Sequence, residues 1–229
     1  MVDLHMHSLY SDGTFSVSEL VKRSGEKGIK ILSLTDHDTV EGLAEAAKEC
    51  IENNIKFING IEISTEYKGK EVHILGYFID EKDKSLIDFS NEMKQARINR
   101  NEKAIKILNN HGIEITKEDT FREAEGVIIS RTHLARALIA KGYVKDVKEA
   151  FSKYLGSNGL AYVPKSNLNP FDGIEIIKKS GGLAFLAHPK LIGLEEEDFV
   201  RLVKDMKDNG LDGIETYYSL FSVVDIRYF

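Results

Sequence analysis

Two histidines sit two residues apart near the start of this chain, in Asp3-Leu4-His5-Met6-His7, and Asp12 follows in a Ser-Asp-Gly turn. In a strand, alternate residues point to one side, so His5 and His7 project together, and the turn can fold Asp12 back over the strand end. Comparable residues recur downstream. Thr35-Asp36-His37-Asp38 follows an apolar run, and Glu62 stands in Gly60-Ile61-Glu62-Ile63 on the face opposite its isoleucine neighbours. His73 lies within Glu71-Val72-His73-Ile74, and His188 ends the most apolar run of the chain. Each has an ordinary reading alone: His73 as a satisfied core histidine, Asp38 as a helix cap, Asp36 as support for a histidine. Together, separate strand ends each deliver an imidazole or a carboxylate, and in α/β barrels those ends line one mouth. A mixed nitrogen and oxygen set suits Zn²⁺, Mn²⁺ or Fe²⁺ rather than calcium. No redox-cofactor motif accompanies it, so several such cations point to hydrolysis.

The elements that must carry these residues alternate along the chain. Strand-like runs fall at 2–5, 31–35, 57–63, 72–78, 183–187 and 213–217. The first helix opens with Ser16 as N-cap and Glu19 three residues on, flanked by Phe15 and Leu20 as a staple, and stops at Gly28. A second opens at Asp38 with Glu41 in its first turn and fades at Asn53-Asn54; a third opens at Asn169-Pro170 and ends at Gly181-Gly182. A fourth covers 195–209. Such alternation predicts a largely parallel α/β sheet or barrel. Residues 84–156 break it with helical spacing throughout, carried by Leu86, Phe89, Met93, Ile105 and Leu108, then Leu134 and Leu138, then Ala150, Phe151 and Leu155. The sequence therefore predicts a barrel unit over 1–83 and 157–229 with a helical insertion at 84–156, either a lid or helices packed outside.

Composition bounds the rest. The 229 residues carry a net charge of −6 and are 42% hydrophobic, enough for a packed core. The longest apolar run, 183–187, is far too short to span a bilayer, and no basic, apolar leader opens the chain. A lone cysteine, Cys50, suits a reducing compartment. The expectation is a cytoplasmic globular protein with no membrane association, no obligate protein partner and no broad nucleic-acid footprint.

The ordered set Asp-Leu-His5-x-His7-Ser-x-x-Ser-Asp12-Gly, Thr-Asp-His37-Asp, Gly-Ile-Glu62-Ile, Val-His73-Ile-Leu-Gly and Ala-His188-Pro resembles the PHP (polymerase and histidinol phosphatase) family over nearly the whole chain. The run from Ser130 to Leu138, with Lys153-Tyr154-Leu155-Gly156 and Ala161-Tyr162-Val163-Pro164-Lys165, is similar to its TrpH-like branch, whose members are phosphoesterases acting on nucleoside 3′,5′-bisphosphates, some trimming RNA from the 5′ end. The resemblance implies a distorted seven-stranded (β/α) barrel with a helical insert and two or three divalent metals, Mn, Zn or Fe, with Mg also compatible. It places His5, His7 and Glu62 on one metal, Glu62, His73 and His188 on a second, and Asp12 with His37 on a third. Arg131, His133 and Lys165 become substrate ligands: Arg131 for a phosphate, His133 for a phosphate or for protonating the leaving oxygen. The substrate would be a small phosphorylated nucleotide or short RNA.

One departure stands out. A late Gly-Ser-Asp-x-His-type motif of the family is absent, and the chain ends in an apolar segment, Phe221 to Phe229. On this reading the last strand is missing, the Asp12/His37 and His5/His7 positions each lose a ligand, and activity is weak or lost. The alternatives are thus an inactive metal-binding chain or another activity of the family, such as histidinol-phosphate hydrolysis.

Overall fold

The computed structural model describes residues 1–123, 131–164 and 168–229, with backbone only at 121–123. Six strands form one curled sheet in sequence order: β1 (Val2–Met6), β2 (Ile31–Leu34), β3 (Lys56–Tyr67), β4 (Lys70–Tyr77), β5 (Leu183–Leu186) and β6 (Gly213–Ile214). The result is a mixed α/β fold and a partial barrel. β1, β2 and β3 run parallel, as do β5 and β6, but β4 is antiparallel to both β3 and β5. Five of the six strands thus share one direction, as expected of a largely parallel sheet, and β4 alone is reversed. The reason is the two-residue turn Lys68-Gly69, where both residues take positive φ (49° and 75°) and close a hairpin whose twist matches its strands.

Helices α1 (Val17–Glu26), α2 (Leu43–Glu52), α7 (Pro170–Lys179) and α8 (Glu196–Asp208) cover the sheet. The caps of α1 and α7 follow the sequence signals: Ser16 Oγ accepts from the Glu19 amide at 3.2 Å, and Asn169 Oδ1 from the Asp172 amide at 2.9 Å. Glu19 itself turns away to pair with Arg23 at 2.9 Å, so the reciprocal half of the capping box is unmade. Asp38 does not open α2, whose N-cap is Gly42. Asp38 instead takes φ 59°, and its buried carboxylate accepts from the Ser64 amide at 2.7 Å and from Arg97 at 2.8 Å. A tertiary partner outcompeted the local cap.

The helical stretch comprises α3 (Lys84–Asn110), α4 (Lys117–Glu123), α5 (Arg131–Ala140), α6 (Val147–Ala150) and a π-turn over Phe151–Leu155. Early α3 residues Leu86 and Phe89 join the core under the sheet, whereas Ala104, Ile105 and Leu108 join a second core with Leu134, Leu138 and Leu155. That second core extends to Ala161. A short helix, α9 (Val223–Tyr228), closes the chain, with Asp225 occupied by its capping box to Ser222 and by Lys190 at 2.7 Å. Among the described residues no helix is long and apolar enough to cross a membrane.

Candidate metal centre

Glu62 is the hub. It lies on β3 where the strand passes beside the segment after β2, and His37 bridges to it as a parallel partner. Gly60 permits that approach: a Cβ there would meet Ser33 Oγ at 2.3 Å. The Glu62 side chain is 1% exposed and receives an imidazole from each of five positions. His73 Nδ1 (3.0 Å) and His188 Nε2 (2.9 Å) reach Oε1; His5 Nε2 (3.1 Å), His7 Nε2 (3.1 Å) and His37 Nδ1 (3.4 Å) reach Oε2.

Each ring is delivered by local geometry. His5 sits on β1 and His7 just beyond it; their rings lie 5.2 Å apart. The following loop folds tightly back on His7, and Gly13 allows it, since a Cβ there would lie 2.3 Å from the His7 carbonyl oxygen. Asp12 thereby comes within 3.6 Å of His7 Nδ1 and 3.8 Å of His37 Nε2. Asp36 pins the same loop, accepting from the Ser8 amide (2.7 Å), Ser8 Oγ (2.6 Å) and Ser11 Oγ (2.5 Å), in keeping with a supporting role. His188 follows β5 with φ 26°, a conformation costly for a side-chain-bearing residue and held here by its amide donating to Glu215 at 2.7 Å.

Protonation is divided across the cluster. Burial works against charge on Glu62, yet the imidazoles, His37 first, hold its carboxyl well below the usual carboxylate range. Burial drives His37 well below its ordinary value, so it is the neutral imidazole a metal requires. Burial also opposes charge on His5, but the Glu215 and Glu62 carboxylates outweigh it and lift the ring to about 10. Among the described residues, His73 Nε2 and His188 Nδ1 are buried with no hydrogen-bond partner. Two groups, His5/Glu62/His188 and His7/His37/Glu62, each present donor atoms within 4.8 Å of one another. A neutral His37, a shared ionised carboxylate and buried ring atoms without partners among the described residues fit divalent metals, whose binding would displace the protons that Glu62 and Glu215 hold on His5.

Beside the imidazoles lies a cavity of about 210 Å³, and three arginines line it: Arg97 and Arg100 from α3 and Arg131 from the start of α5. Arg131 is 19% exposed and pairs with Glu71 at 3.3 Å. Arg100 is pulled down to about 10, by burial first and then by Arg131 and Arg97. A guanidinium cluster disfavoured by its own repulsion is a ready anion site. His133 does not line this cavity: two residues along a helix is a turn of about 200°, and it is 4% exposed on α5. Lys165 and Ser130 lie outside the described residues.

Three positions escaped the sequence reading. Arg97 and Arg100 carry no local signal on a long charged helix. Glu215, just after β6, accepts from His5 Nδ1 at 2.9 Å and from the His188 amide at 2.7 Å. Its Gly213-Ile214-Glu215 repeats the wording of Gly60-Ile61-Glu62, a signal that was present.

Comparison with known proteins agrees with this geometry. The PHP domain model matches residues 3–159. A 3′,5′-nucleoside bisphosphate phosphatase of Chromobacterium violaceum is 34% identical over 229 residues, covering 100% of this chain and 80% of that protein. A 5′-3′ exoribonuclease of Haemophilus influenzae is 35% identical over 213 residues, covering 93% of this chain and 77% of its own length. Among solved structures, an amidohydrolase from Chromobacterium violaceum with bound sulfate and no metal superposes with a TM-score of 0.91 at 33% identity, covering 99% of this chain and 80% of that one. A family match over residues 3–159 and 34% identity to one relative across the whole length make this chain a member of the PHP domain family.

Proposed function

We propose that this chain is a metal-dependent phosphoesterase that releases phosphate from nucleoside 3′,5′-bisphosphates. The observation that carries the reading is the adjacency of two features: one buried carboxylate ringed by five imidazoles, and a cavity lined by three arginines. His5, His7, Asp12, His37, Glu62, His73 and His188 would hold two or three divalent cations, Mn, Zn or Fe, with Mg also compatible. The two donor groups that share Glu62 support at least two positions, pairing His5 with His188 and His7 with His37. Such cations supply positive charge for phosphoryl oxygens and make water acidic enough to attack near neutral pH.

The protein's own residues do the rest. Arg131, with Arg97 and Arg100, grips a substrate phosphate bidentately and orients it toward the imidazole ring cluster. Glu71 holds Arg131 in place until substrate arrives. Glu215 keeps His5 oriented through Nδ1. His133 is buried on the helix that presents Arg131 and outside the arginine-lined cavity, so the phosphate contact is assigned to Arg131 rather than to His133, and Lys165 is proposed as a further phosphate contact. The relatedness to a 5′-3′ exoribonuclease favours a second substrate reading, the trimming of short RNA from its 5′ end by the same centre. The inactive-chain alternative is not favoured, because relatives aligned over most of this chain are hydrolases.

The test is Mn²⁺-dependent phosphate release from adenosine 3′,5′-bisphosphate by the 229-residue chain. Glu62→Gln removes the charge shared by both donor groups and should lower turnover by about a hundredfold or more. Near-normal release from that variant would sink the metal-centre reading.

A further inference from the structure

The strand pair that carries Glu62 and His73 continues past the metal centre. On β3, Glu62, Ser64 and Glu66 point to one face, and across the antiparallel register His73 stands opposite Ser64 and Glu71 opposite Glu66. The floor therefore changes from metal ligands to two carboxylates over about 13 Å of strand. Above its far end lies a second cavity of about 350 Å³, which shares Ser64, Glu71, Arg131 and Phe151 with the arginine-lined one. The two cavities are thus adjoining compartments with Arg131 at the boundary.

Their chemistry differs. The first holds Arg97, Arg100 and Arg131. The second holds only Arg131 of these, whose charge the shared Glu71 offsets at 3.3 Å, and adds Glu66 and the partly buried ring of Tyr162 to the shared Phe151. An anion belongs in the first compartment, where Arg97 and Arg100 add to Arg131, and is disfavoured in the second, where Glu66 lies beside an Arg131 already paired with Glu71. A flat, uncharged ring with N–H donors on its edge suits the second: aromatic faces stack on it, and a carboxylate accepts from its edge. Phe151 is also fixed. It opens the π-turn, a local winding often found at functional sites, and its carbonyl accepts from the Gly156 amide at 2.7 Å. A Cβ at Gly156 would come within 2.7 Å of that oxygen, so a glycine is needed to close the turn, and the Arg131 guanidinium lies 5.8 Å from the Phe151 ring centroid.

We propose that this second compartment is a nucleobase pocket, with Phe151 as stacking platform and Glu66 as acceptor for an exocyclic amino group. The inference rests on the nucleotide reading above and adds to it the residues that recognise the base. A nucleotide lies in line, its phosphate among the arginines and its base between Phe151 and Glu66.

Calorimetric binding to the Mn²⁺-loaded protein separates base from phosphate, using adenosine 5′-monophosphate and ribose 5-phosphate, which differ only in the base. The wild type should bind the nucleotide about tenfold more tightly. Phe151→Leu should shrink that ratio to about twofold while affinity for ribose 5-phosphate holds. Should Phe151→Leu fail to fold, Glu66→Gln on the opposite wall, remote from the helical core, should narrow the same ratio. Equal wild-type affinity for the two esters overturns the pocket, as does a ratio that neither variant moves. Discrimination between the esters without phosphate release from adenosine 3′,5′-bisphosphate would overturn the hydrolytic reading and leave the pocket standing.

Discussion

A single carboxylate with five imidazoles around it is stable only if something divides the charge. Glu62 is 1% exposed, and removing its partners would strand an ion where water cannot reach it. The second carboxylate of the cluster, Glu215, acts differently. It touches His5 from the far side, at Nδ1, so it selects which ring nitrogen faces Glu62. Glu215→Gln keeps the shape and removes that control, and should weaken divalent metal binding by about 10–100-fold. Direct metal titration checks this, and a change of less than about threefold would leave Glu215 as a backbone brace for His188 alone.

Strands and helices meet at this centre through a few latches. Asp38, buried with positive φ, ties the loop after β2 to β3 and to Arg97 of α3, so the arginine that lines the cavity and the loop that carries His37 move together. A second latch lies in the helical stretch. Thr116 and Asp119 cap α4 reciprocally, and Lys141, just past α5, reaches Asp119 at 2.6 Å. Lys141 first, then the Thr116 amide, hold the Asp119 carboxyl down to about 2. Its folded value lies below its unfolded one, near 3.9. The stabilisation is therefore complete above about pH 4 and fades as pH falls toward 2. Asp119→Asn should cost up to about 1 kcal/mol in urea unfolding at pH 5. The gap between variant and wild type should narrow at pH 3; an equal gap at both would assign the loss to packing.

Taken as one body, the chain places its densest set of ionisable groups at the mouth of a curled sheet whose walls are apolar. Five imidazoles around one carboxylate leave ring nitrogens without a partner among the described residues, His73 Nε2 and His188 Nδ1. Metal that binds the folded state and not the unfolded one should raise stability by about 2.7 kcal/mol at a hundredfold excess over Kd. For a chain of this size that is a rise in Tm of roughly 5–10 °C. Thermal unfolding with Mn²⁺ and then with excess chelator reads it directly, and a melting point indifferent to both would deny a preformed centre.

The imidazoles that converge on Glu62 were legible because their signals are local. His5, His37 and His188 sit at or just past apolar strand runs, Glu62 and His73 lie within theirs, and strand alternation tells which residues share a face. The caps at Ser16 and Asn169 were legible for the same reason: each is a bond across three residues. Glu215 was not, because Gly-Ile-Glu occurs at 60–62, 112–114, 173–175 and 213–215, and only long-range pairing tells which copies enter the mouth. Arg97 and Arg100 were hidden on a helix rich in charge, and Asp38 read as a cap until Arg97 and Ser64 claimed it. The direction of β4 turned on two positive-φ residues at Lys68-Gly69. Residue types and spacing thus specified the chemistry. Which groups converge on Glu62, and which compartment lies beside it, depended on sheet curl, strand direction and helix docking, all of them contacts between residues far apart in the chain.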